Sequence, residues 1–340
     1  MATVPQTAAS SLARVEVLDL RHFSAYDLRP LLQQEAAAWQ QRLLWDYRDS
    51  IELLLQYLDS RMLPGFVATL RGQVIGYIFC VYEGYKAVIG DIYVSHAIDP
   101  EWRLPELLLK HLLEVASASP DLDRIESQLL LYNEFELAEP FRQAGFVRFP
   151  RLYQECDLAA RSRSWSPAIA MPPDMELCPW TPSAYQPVAE LIHAAYAGHL
   201  DAEINDQYRT LHGSLRFLHN IVRFPGCGQF DAEASWLLRD RGTQALAGVV
   251  LGSRIAADVA HITQLCMAPE YRGRGLGRLL LEHSMKRLAA LRYEAITLTV
   301  SEQNSAAVQL YLASGFRTRH RFDAMVLNKP YRPFDLSGST

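Results

Sequence analysis

The sequence predicts an α/β protein, in the α+β sense, made of two tandem copies of one domain. Three observations carry this: the length, an internal repeat, and the alternation of strand and helix periods in the second copy. At 340 residues the chain exceeds the size at which a single core keeps growing, so two domains are expected. The repeat pairs Pro100-Glu101-Trp102-Arg103 with Pro269-Glu270-Tyr271-Arg272, and Leu107-Leu108-Leu109-Lys110-His111 with Leu279-Leu280-Leu281-Glu282-His283. It closes by pairing Phe141-Arg142-Gln143-Ala144-Gly145-Phe146 with Tyr311-Leu312-Ala313-Ser314-Gly315-Phe316. The three matches keep their order at a spacing of about 170 residues. Between the copies, residues 159–173 carry Ser162, Ser164, Ser166, Pro167, Pro172 and Pro173 and read as a linker. The expected domains are therefore 14–158 and 174–340.

The second copy gives the clearer pattern. Ala184 to Tyr196 and Leu211 to Val222 read as helices, and Ala245 to Leu251 and Ala260 to Met267 as strands. Leu276, Leu280, Leu288 and Leu291 share one face of a helix. Ile296, Leu298 and Val300 alternate with Thr297 and Thr299, the mark of a strand with one buried face. Ser305 to Ala313 reads as a short helix stopped by Gly315, and Arg319 to Leu327 as a last strand.

Composition narrows the function. With 49% hydrophobic and 21% charged residues the chain is globular, and its net charge of -5 argues against a nucleic-acid partner, which needs clustered Lys and Arg. The cysteines Cys80, Cys156, Cys178, Cys227 and Cys266 are odd in number and scattered, with no metal-site spacing, which suits reduced thiols in the cytoplasm and no metal. Neither a secretory leader nor an apolar run of the ~18 residues needed for a membrane span is visible. The assembly is not readable, and a homodimer stays open.

The chemistry concentrates in Arg272-Gly273-Arg274-Gly275-Leu276-Gly277, between a strand and a helix. Glycines there let the backbone approach a pyrophosphate, the helix N-terminus favours its charge, and Arg272, Arg274 and Arg278 add charge-assisted donors. A solvated strand-to-helix turn is the plain alternative. A dinucleotide-binding loop is another, but it wants an acidic residue ending a second strand, and Glu294 precedes its strand.

The words Met267-Ala268-Pro269-Glu270-Tyr271-Arg272 onward, then Asn304, Ala307, Leu310-Tyr311 and Gly315-Phe316, resemble the GNAT acyltransferase superfamily, with its R-x-x-G-x-G loop and N-x-x-A-x-x-L-Y motif. The resemblance implies two tandem GNAT-like domains, each a mixed central sheet flanked by helices. It implies acetyl-CoA as acyl donor and an amine acceptor, a small molecule or a peptide N-terminus. Leu265, Cys266 and Met267 are then the strand whose backbone pairs with the pantetheine arm, and Tyr311 lies near the leaving thiolate as a proton donor. Asn304 falls on the pantetheine or acceptor side, with helix capping as a second role. For the base, Asp258, His261 and Glu302 are the candidates. Cys266 has no activating neighbour in the sequence, so direct transfer is expected over an acyl-enzyme. The acceptor cleft is expected around Tyr196 to Phe230.

The first copy has lost the parts that matter. Arg103 to Leu107 is three residues shorter than Arg272 to Leu279, Pro105 removes a backbone donor, and Phe141 stands in place of Tyr311. It is expected to be a degenerate domain, in a tandem layout similar to that of mycothiol synthase. The competing class is a non-catalytic acyl-CoA sensor, against which the intact Tyr311 and Asn304 argue.

Overall fold

The chain divides into two units whose segments alternate along the sequence: residues 1–35, 52–148 and 323–340 in one, 36–51 and 149–322 in the other. The sequence drew consecutive domains instead. The computed structural model describes residues 15–98, 100–162, 170–224 and 226–329. The N-terminal stretch before Val15 and the linker residues Ser164, Ser166 and Pro167 lie outside them.

In the first unit, β1 (Val15–Asp19), β2 (Gly65–Leu70), β3 (Gln73–Glu83), β4 (Lys86–Val94) and β5 (Arg124–Gln128) lie side by side in that order. All neighbours are antiparallel except β4 and β5. Helices α1 (Ala25–Leu43) and α2 (Arg48–Asp59) each have residues in both units. Helix α3 (Leu104–Ala118) buries Leu104, Leu108, Leu109, Leu112 and Leu113 against β2, β3 and β4, at about 1.5–3 kcal/mol per fully buried leucine. Helix α4 (Ala138–Gln143) follows β5.

The second unit has β6 (Val147–Asp157), α5 (Leu158–Ser162), β7 (Met175–Pro179), α6 (Tyr185–Tyr196), α7 (Asp201–Ile204) and α8 (Leu211–Arg223). The hairpin strands β8 (Gln229–Asp240), β9 (Leu246–Ala256) and β10 (Val259–Met267) come next, then α9 (Leu276–Ala290), β11 (Ala295–Ser301) and α10 (Ser305–Ala313). Its strands run in the order β6-β11-β10-β9-β8-β7, with β10 and β11 the parallel pair. Helix α9 buries Leu276, Leu279, Leu280, Met285 and Leu288 on β8, β9 and β10. The final strand, β12 (Arg317–Asn328), gives residues 317–322 to this unit, while Ala324–Asn328 pair with β5 of the first.

Each copy places a short 3-10 turn before its long helix, Pro100–Trp102 and Pro269–Tyr271. In the second copy, residues 272–275 join turn to helix, and Gly275 enters the helix in the left-handed region at φ 75°. In the first, Arg103 alone makes the join, at φ 49°. The sequence match set Arg103 against Arg272, yet its backbone does the work of Gly275, in a conformation that costs a side-chain-bearing residue about 1–2 kcal/mol. The shortened loop therefore keeps the turn and loses the residues around it. The later aromatic pair persists in both copies, Phe141 edge-on to Phe146 at 5.0 Å and Tyr311 to Phe316 at 5.7 Å.

Candidate active site

The site begins where a strand pair separates. β10 and β11 pair from Val259↔Ala295 to Ile262↔Leu298 and no further, although β10 runs on to Met267 and β11 to Ser301. The register against β9 slips between Ile262 and Gln264, a bulge at Thr263, whose hydroxyl donates to the Leu251 carbonyl at 3.2 Å. Residues Leu265, Cys266 and Met267 thus hold β9 on one edge and face a gap on the other. Backbone groups along such an edge take up an extended ligand as an added strand would.

At the end of β10, Gly273 and Gly275 both sit at φ 75°, and a Cβ on either would meet nothing within 4 Å. The space beside the loop is open, and the backbone conformation is what asks for glycine. Gly277 differs: a Cβ there would lie 3.5 Å from Met267, an ordinary contact. Leu276 is buried and anchors the first turn of α9, whose unpaired amides form the anion-favouring end. This unpaired edge and open loop leave backbone groups available to an extended ligand with an anionic end. The arginines are already engaged. Arg272 donates to the carbonyls of Met267 (3.2 Å) and Ala195 (2.6 Å), tying β10 to the end of α6. Arg274 pairs with Asp174 at 3.0 Å, and Arg278 with Glu282 at 2.8 Å.

Tyr311, on α10, is buried, and its hydroxyl makes no hydrogen bond among the described residues. Burial pushes its phenol pKa well up; Asp201 and the Cys266 thiol push the same way, and the Arg151 guanidinium opposes them. Asn304 caps α10, accepting from the Ala307 amide at 3.2 Å, and its Nδ2 lies 3.4 Å from His199 Nε2. The Cys266 thiol is pushed up to about 12 by burial, so it stays protonated.

Of the three base candidates, two lie on or before the paired part of β10, and the third follows β11. His261 sits on the paired part of β10, buried against Trp45 and Tyr153, with Nδ1 2.8 Å from Thr297 Oγ1. Burial pushes its pKa down to about 3. Asp258 is exposed in the turn before β10, at the end opposite Met267. Glu302 follows β11 and pairs with Arg321.

What the sequence missed is a polar cluster beside Tyr311. The Asp201 amide donates to His199 Nδ1 at 3.1 Å, and Asp201 Oδ2 lies 3.6 Å from the same nitrogen. His199 is faced by donors at both nitrogens, and an imidazole accepts from only one of them at a time. Asp201 Oδ1 also accepts from Arg151 Nη1 at 3.1 Å and from the Ser301 hydroxyl. A wall of this region is formed by Tyr196 and Tyr208, stacked at 4.1 Å and joined through Gln264, which donates to Tyr196 (2.9 Å) and accepts from Tyr208 (3.3 Å). His199 and Asp201 stand in the segment expected to form the acceptor cleft, and a His-x-Asp word there was the available signal. Arg151 comes from β6, where no signal pointed.

Among the described residues no group of three or more His, Cys, Asp or Glu is placed to hold a metal ion, and no helix is long and apolar enough to cross a membrane.

Residues 199–316 match the Acetyltransferase (GNAT) family. Over 71 residues the chain is 37% identical to the peptidyl-lysine N-acetyltransferase YjaB of Salmonella typhimurium, covering 21% of this chain and 46% of that protein. It is 34% identical over 64 residues to the ribosomal protein bS18-alanine N-acetyltransferase of the same organism (19% and 43%). A third relative, the mycothiol acetyltransferase of Beutenbergia cavernae, is 34% identical over 87 residues (26% and 29%). The chain spans less than half the length of each of these relatives. Among solved structures, a tandem GNAT protein from the clavulanic acid biosynthesis pathway superposes with a TM-score of 0.61 at 16% identity, over 94% of this chain and 100% of that one. A GCN5-related N-acetyltransferase from Sphaerobacter thermophilus gives 0.62 at 16%, over 98% and 99%. The likeness to the GNAT acetyltransferase family is thus carried by residues 199–316, and the chain has the mixed α/β fold of tandem GNAT proteins.

Proposed function

We propose that the chain is an acetyl-CoA-dependent N-acetyltransferase that moves an acetyl group directly onto a primary amine, of a small molecule or a peptide N-terminus. The observation that carries this is the parting of β10 from β11 past Ile262, with the open glycine loop at the end of one strand and the unbonded Tyr311 hydroxyl after the other. Acetyl-CoA supplies an activated acyl carbon and a thiolate leaving group. In this reading the backbone of Leu265, Cys266 and Met267 holds the pantetheine arm, and the backbone from Gly273 to Arg278 holds the pyrophosphate, with Arg272, Arg274 and Arg278 at its rim. His199, steadied by Asp201, takes the proton that the attacking amine loses as its nitrogen bonds to the acyl carbon. Tyr311 donates to the sulfur as the C–S bond breaks, and Asn304 positions His199 and the start of α10. The protonated Cys266 supports direct transfer over an acyl-enzyme.

The same reading makes the first copy a degenerate partner: Arg103 replaces the loop, Pro105 sits in the first turn of α3, and Phe141 carries no hydroxyl. Five free cysteines support a reducing, cytoplasmic setting.

Isothermal titration with acetyl-CoA tests it. One site is expected in the wild type and none in Gly275→Asp, whose carboxylate would both repel the pyrophosphate and strain the left-handed turn. Two equivalent sites, or binding that survives the substitution, would sink the assignment. Binding with no amine acetylated would favour a sensor.

A further inference from the structure

Arg151 sits opposite Ser301 on the β6–β11 ladder, and its side chain keeps only 13% of its surface exposed. One nitrogen, Nη1, makes both of its hydrogen bonds, to Asp201 Oδ1 at 3.1 Å and to Ser301 Oγ at 2.7 Å. Its Nε is buried without a hydrogen-bond partner, and Nη2 makes no hydrogen bond among the described residues. A guanidinium is a planar fork of donors, and a buried donor such as this Nε left without an acceptor is costly. The charge also reaches the reacting end of the site, since it lowers the pKa of the Tyr311 and Tyr208 phenols against the push of burial.

The fork matches a planar acceptor with two oxygens, which a carboxylate supplies. A phosphate dianion would fit the fork but would stand beside the Asp201 carboxylate, which holds the other side of the same guanidinium. A carboxylate monoanion brings less repulsion. Its amine, a few bonds away, would face the His199–Asp201 side of the cluster.

We propose that the acceptor is an amine bearing a carboxylate, of the amino-acid or short-peptide class, held by Arg151. This rests on the N-acetyltransferase reading above. Arg151 is an acceptor-binding and specificity residue here, and the carboxylate end of the acceptor is the part it selects.

The test follows thiol release from acetyl-CoA by the full chain, offered the protein amino acids, each beside its amide and its decarboxylated amine, together with phosphorylated amines. The acids are expected to lead in kcat/KM by roughly tenfold to a hundredfold, the worth of a charge-assisted hydrogen-bond pair. In Arg151→Lys, which keeps the charge beside Asp201 and loses the fork, the acid-to-amide ratio should fall by about tenfold or more with acetyl-CoA affinity retained. The proposal is overturned if amides, plain amines or phosphorylated amines match the acids, or if the ratio survives in the variant. It is equally overturned if acetyl-CoA binds and no member of the panel is acetylated. Absence of acetyl-CoA binding would strike the underlying reading instead. Should Arg151→Lys fail to fold, the wild-type ratio decides alone.

Discussion

Acidification should weaken the second unit through a single imidazole. His261 lies in the core between the ring of Trp45 at 5.2 Å and that of Tyr153 at 5.8 Å. Thr297 gives its hydroxyl proton to the Ala260 carbonyl at 3.2 Å, so His261 Nδ1, 2.8 Å from that oxygen, is the donor. Burial pushes its pKa down to about 3, from an ordinary 6.5. Below the ordinary value the unfolded chain takes up a proton that the folded one refuses. The contribution is therefore complete above that value, is lost progressively as the pH falls, and levels off below the folded pKa. The slope approaches 1.4 kcal/mol per pH unit, so about 3 kcal/mol is lost by about pH 4.5. Urea unfolding at about pH 7.5 and about pH 4.5, in wild type and His261→Gln, isolates the effect from the carboxylates, which titrate in both. The variant should start less stable, through lost packing, and lose about 3 kcal/mol less on acidification. Equal losses in the two proteins would refute a neutral buried His261.

Three further outcomes are expected. Tyr311→Phe should lower kcat roughly 10²-fold with little change in acetyl-CoA affinity by titration, and an unchanged kcat would remove the phenol from the chemistry. Arg272→Ala deletes the tie from the Met267 carbonyl to that of Ala195, so it should lower stability by about 1–3 kcal/mol as well as weaken acetyl-CoA binding. A melting temperature equal to that of the wild type would show the tie to be idle. Cys266, with its thiol pushed up to about 12, should be alkylated near pH 8 roughly a thousandfold more slowly in the folded chain than in denaturant, read by mass mapping. Comparable rates would reopen a covalent route.

The parts of this fold that could be read in the sequence are those whose residues announce their own neighbours. Ile296, Leu298 and Val300 form a strand because they alternate, and Gly275 holds a left-handed φ that glycine adopts at least cost. Helices α6, α8, α9 and α10 fall within a residue or so of their periodic patterns. The strand β8 went unread. Asp231 to Glu233 interrupt its alternation, and its pairing with β9 breaks between Asp231 and Trp236. Partnership across the chain was also invisible: the register that sets β6 against β11 brings Arg151 to Ser301, and local pattern carries no trace of that. His261 shows the converse limit. Its type suggested a base, and only the rings around it reveal a side chain kept from taking up a second proton. Asp201 and His199 lie in and beside a four-residue helix, too short to leave a period.

The path of β12 has a consequence for how the protein is made. Strand β5 waits for Ala324–Asn328, a partner about two hundred residues further along. A ribosome delivering the chain from its N-terminus leaves the edge of β5 bare until Ala324–Asn328 emerge, and β6 stands without β11 until Ala295–Ser301 do. A chain cut short at residue 320 leaves the first unit without the strand that pairs with β5.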